Sequence, residues 1–151
     1  MIELDFSIKS SIPKEIDPAR VGEMTAALIQ ESVLVGDLIL SFDGIDCSAR
    51  WGWIPILDCA VCLSAIAVEL ARSPRAIERF EFTENEASIL FARNGDAVRI
   101  APTYVPLSAL VPLNELESAI RSFRERAFAS AVTALPGLEQ CAGFLELRGH
   151  A

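Results

Sequence analysis

Residues 33–53 read VLVGDLILSFDGIDCSARWGW, and this stretch decides the fold. Val33, Val35, Leu38, Ile39, Leu40 and Phe42 form an apolar, partly β-branched run of strand length. Asp43-Gly44 follows, a pair suited to a tight turn because glycine accepts positive φ at little cost. Ile45, Cys47, Ala49, Trp51 and Trp53 then alternate with Asp46, Ser48, Arg50 and Gly52. A period of two sends alternate side chains to opposite faces of a strand. The stretch therefore predicts a β-hairpin, and with it an antiparallel sheet.

The same reasoning extends in both directions. Ile2, Leu4, Phe6 and Ile8 alternate with Glu3, Asp5, Ser7 and Lys9, which predicts a strand over 2–9. Val21, Met24 and Leu28 have helical spacing behind Pro18, which predicts a helix over 18–31. Pro55 opens a helix running to about Arg72 that is apolar nearly all round, so the rest of the domain should enclose it. Its expected wet edge is Asp58, Glu69 and Arg72. Residues 79–103 predict a three-arm meander: Phe80 and Phe82, then Ile89 to Phe91, then Val98 and Ile100, with an Asn94-Gly95 turn before the third arm. Asn114 followed by Glu117 suggests a capping box for a long helix ending at Pro136-Gly137. The expectation is one α+β domain over 1–151. It has a five- or six-stranded antiparallel sheet, with the buried helix and a long C-terminal helix packed on one face. Residues 138–151 are expected to form a loosely packed tail.

Charge narrows the function. The 151-residue chain carries 13 Lys plus Arg against 21 Asp plus Glu, a net −8. That balance repels phosphate backbones and anionic membrane surfaces, which disfavours nucleic acid and membrane as partners. It favours a basic protein partner. The start of the chain lacks the basic and apolar regions of a secretion signal, and the apolar stretch near 54–71 is broken by Asp58, Ser64 and Glu69. A cytoplasmic location with reduced cysteines is expected.

The usual catalytic groups are missing or badly placed. The single histidine, His150, is next to the end of the sequence, where rigid positioning is hard to achieve. Cys59-x-x-Cys62 has redox or metal spacing, but Ala60 and Val61 place it inside an apolar helix, where small core residues explain it. The carboxylate pairs Asp43/Asp46, Glu84/Glu86 and Glu115/Glu117 suit turns and helix starts. The eight glycines are scattered and form no phosphate loop. No cofactor, metal or catalytic residue is expected.

Trp51-Gly52-Trp53-Ile54-Pro55 is the feature with most to offer. Alternation puts both indoles on one face, where they either cap the core or form an exposed anchor of the kind enriched at interfaces. The candidate partner-binding residues are Asp43, Asp46, Trp51, Trp53, Glu84 and Glu86, an aromatic patch with an acidic rim. The layout Gly36-Asp37-Leu38-Ile39-Leu40, Asp43-Gly44, Pro55-Ile56-Leu57-Asp58 and Phe80 to Glu86 resembles uncharacterised small bacterial proteins. Similar small acidic proteins include the immunity proteins of polymorphic and contact-dependent toxin systems. The resemblance covers 33–135 in layout only and carries over no binding residue. It implies an immunity or inhibitor protein that occludes the active site of a basic toxin such as a nuclease. A small-ligand or scaffold module, and a carboxylate or metal-dependent hydrolase, remain as alternatives.

Overall fold

The computed structural model describes residues 1–10 and 17–150, without the side chains of Ser10, Pro18 and His150. Eight strands and four α-helices follow one another: β1 (Ile2–Ser10), α1 (Ala26–Ser32), β2 (Val35–Phe42), β3 (Ile45–Asp46), β4 (Ala49–Pro55), α2 (Ile56–Arg72), β5 (Ile77–Glu81), β6 (Ser88–Asn94), β7 (Ala97–Pro102), β8 (Ala109–Pro112), α3 (Leu113–Ala134) and α4 (Ala142–His150). The class is α+β, as the pattern implies. The single five- or six-stranded sheet is replaced by two antiparallel sheets of four strands each. In the first, β2 pairs β1 on one side and β3 and β4 on the other. In the second, β5 to β8 form a meander. The division falls at α2, which carries the chain away from β4 before β5 begins.

One apolar interior serves both sheets. Leu4 and Leu40 from the first sheet, Ile89 and Ile100 from the second, Leu63 from α2 and Ile120 from α3 line the same small internal void. Phe6 of β1 meets Phe123 of α3 edge to face at 5.5 Å. Arg93 of β6 ties the second sheet to α2: its guanidinium donates to the Leu70 carbonyl at 2.8 Å and reaches those of Ala71 and Ser73. Cationic donors at the C-terminal carbonyls of a helix satisfy groups with no partner inside it.

Local departures from the sequence reading have identifiable causes. The helix expected over 18–31 breaks into a 3-10 segment, Pro18–Glu23, and α1. Thr25 is extended and its hydroxyl accepts from the Leu28 amide, so it caps α1 and stops the earlier turn from continuing. The loop expected at Asn94-Gly95 lies one residue later, at Gly95-Asp96, because Asn94 pairs with Ala97. The expected capping box does not form: Pro112 takes the N-cap position and the Asn114 carboxamide accepts only from the neighbouring Glu115 amide. The long helix is also not the last one. The stretch expected to be a loose tail forms α4, with Cys141, Phe144 and Leu147 buried. Gly143 permits this packing, since a Cβ there would lie 2.4 Å from the Met24 carbonyl oxygen.

Candidate functional site

The Trp corner depends on an interruption of β4. Between Leu38↔Ala49 and Gly36↔Ile54 the register shifts, and β4 carries extra residues in a bulge. Gly52 lies in that bulge at φ +79, a conformation that costs other residues about 1–2 kcal/mol. Its amide donates to the buried Asp37 carboxylate at 2.8 Å, and Lys9 approaches the other carboxylate oxygen at 3.8 Å. The bulge sets Trp51 and Trp53 in a stack, with centroids 5.2 Å apart and ring planes 19° apart.

Trp51 also crosses to the other sheet. Its ring meets Phe82, just past β5, at 4.8 Å and Tyr104, in the β7–β8 loop, at 5.2 Å, both edge to face. Phe80 and Tyr104 flank Phe82 at 4.9 and 5.8 Å. The Tyr104 hydroxyl donates to the Cys47 carbonyl at 2.9 Å, a second bridge between the sheets. Burial raises the Tyr104 pKa well above the ordinary phenol range, helped by Cys47, Cys59 and Asp46 nearby. Both tryptophans are partly buried against the core.

Two acidic segments adjoin this cluster. Asp46 directly precedes Cys47, which holds the Tyr104 hydroxyl. The Ser48 side chain and amide, with the Arg50 guanidinium, hold the Asp46 carboxyl down to about 2, so it is charged at neutral pH. The Ser48 amide lies at 2.9 Å and Arg50 at 3.0 Å. Glu84 and Glu86, both exposed, flank Asn85 in the turn after Phe82. Asn85 fixes that turn by accepting from the Ala87 amide at 2.9 Å. Ser88 and Thr103 exchange two hydrogen bonds of 2.9 Å, tying the base of the turn to the Tyr104 loop.

Asp43 stands apart from this group. It turns the hairpin with Gly44, at φ 50 and 85, and pairs with the Met1 amine. It lines a different groove of about 650 Å³, with Glu3, Asp5 and Arg126. Sequence reading overlooked Tyr104, although a lone tyrosine in the loop between Pro102 and Pro106 is a usable signal. Ile45, which alternation groups with Cys47 and Ala49, is instead 52% exposed between Gly44 and Asp46.

The other candidates show little chemistry. Asp58, expected on a wet edge, is buried and accepts from Gln30 at 2.6 Å and from the Cys62 thiol at 3.5 Å. Burial, then the Asp58 charge, pushes Cys62 up to about 12 and Cys59 upward as well, which keeps both thiols neutral. Among the described residues no three His, Cys, Asp or Glu side chains are grouped as metal ligands, and no helix is long and apolar enough to cross a membrane. No protein-family model, curated protein or solved structure matches the chain.

Proposed function

We propose that the chain acts by binding a basic protein, through an aromatic surface at Trp51, Trp53 and Tyr104 rimmed by Asp46, Glu84 and Glu86. The supporting observation is the aromatic cluster that joins the two sheets, with one acidic segment entering it from β3 and another from the β5–β6 turn. Opposite charge at the rim accelerates encounter, and rings already packed in place lose little freedom on contact, which slows release. In its sharpest form the protein is an inhibitor of immunity type. A toxin that cuts nucleic acid needs a basic cleft for phosphates, and a fixed set of carboxylates can occupy that cleft. The Asp46 carboxylate suits this role because it stays ionised even in mild acid.

Co-purification with the product of the adjacent gene tests the reading. The complex is expected to form, and replacing Asp46, Glu84 and Glu86 by lysine is expected to weaken it at least a hundredfold. Unchanged affinity in the triple variant, or no complex with the wild type, would contradict the assignment.

A further inference from the structure

The outer face of the β5–β8 sheet breaks the rule that an antiparallel sheet with one covered face alternates apolar-in with polar-out. Phe80, Ile89, Phe91, Val98, Ile100 and Val111 point inward and are buried. The intervening outward positions on β6 to β8 include Leu90, Ala92, Ala97, Ala101, Leu110 and Pro112. Strands with apolar residues on both faces are normally covered on both. Yet Ile77 and Leu110, on the two edge strands, are 67% and 60% exposed. Both apolar side chains stand open to solvent.

We propose that it packs against the same face of a second copy. The strand register shows how. One outward row runs Ile77–Ala92–Arg99–Leu110, and the next runs Arg79–Leu90–Ala101. A two-fold axis parallel to the strands, midway between β6 and β7, exchanges β5 with β8 and β6 with β7. Ile77 of one copy then meets Leu110 of the other, Leu90 meets Ala101, and the Arg99 stem lies over Ala92. Large residues meet at both edges, large meets small in the middle, and no arginine faces an arginine.

Charge argues against a basic occupant, which would meet Arg79 and Arg99, both exposed on this face. Size sets the strength. Four strands at about 4.8 Å and six residues at about 3.3 Å give roughly 400 Å² in projection. A stable interface buries about 800 Å² on each partner, so the dimer is weak and reversible.

Sedimentation equilibrium from about 10 μM to 1 mM tests this. The mass is expected to rise from 16.4 kDa towards twice that value. The rise should be steeper at 0.5 M than at 0.05 M salt, because screening relieves repulsion between the two acidic chains. Ile77→Asp and Leu110→Asp should each weaken association at least tenfold with an unchanged thermal melt; Ile77→Ser serves if an aspartate variant fails to fold. A monomer mass at 1 mM in both salts, or a dimer that survives the substitutions, would overturn the proposal.

Discussion

Replacing Trp51 by alanine separates the structural role of the aromatic cluster from its proposed binding role. Trp51 contacts three rings, Trp53, Phe82 and Tyr104, and the last two lie in loops of the other sheet. Each such pair contributes about 0.5–1.5 kcal/mol beyond area burial. Fully buried Trp or Phe to Ala changes cost about 3–5 kcal/mol. Trp51 is only partly buried, which places the expected loss near 3 kcal/mol. Trp53 contacts Trp51 alone within the cluster, so Trp53→Ala should cost about 1 kcal/mol by the same reasoning. Urea unfolding followed by far-ultraviolet circular dichroism measures both, and at this chain length 3 kcal/mol corresponds to a Tm lower by about 6–12 °C. In partner binding the order should reverse in one respect: Trp53→Ala should lose affinity while remaining folded. A loss below about 1 kcal/mol for Trp51→Ala, or equal losses for the two variants, would refute the view that Trp51 joins the sheets.

Other perturbations give equally definite results. Asp37→Ala removes the acceptor for the Gly52 amide and should cost about 1–3 kcal/mol in the same assay, whereas Asp37→Asn retains an acceptor and should cost less. Gly143→Ala forces a methyl onto the Met24 carbonyl and should cost about 1–3 kcal/mol, with faster hydrogen exchange across 142–149; unchanged exchange would show that α4 packs differently. The single tyrosine allows a clean titration by phenolate absorbance. With its folded pKa raised, Tyr104 contributes stability that is full below pH 10 and declines above it, so the midpoint should lie well above 10. Asp46 behaves in the opposite sense. Its folded pKa of about 2 lies below the ordinary 3.8, so its contribution is present above about pH 4 and is lost as pH falls through 2; Asp46→Asn should flatten that acid limb.

Much of this architecture is legible in the residues themselves. Alternation locates β1, and the apolar run behind Pro55 locates α2, because these signals depend only on which face of an element is buried. Lateral pairing has no such signature. Nothing in the period of β4 says that it returns to β2 and leaves β5 to start a second sheet. The strand β8 is four residues long and ends in proline, which reads as a loop but suits a sheet edge. Asp58 was misplaced because its partner, Gln30, lies 28 residues away in sequence. The candidate site was legible in part for the same reason. Trp51, Trp53, Asp46 and the Glu84–Glu86 turn could be picked out by residue type, and Tyr104 could be connected to them only through a contact 57 residues long.

Hydrogen exchange on the complex with the adjacent gene's product tests the binding surface most directly. The account predicts slower exchange at residues 45–53, 82–87 and 103–105 on complex formation. Protection confined to other surfaces, with these three segments unchanged, would contradict it.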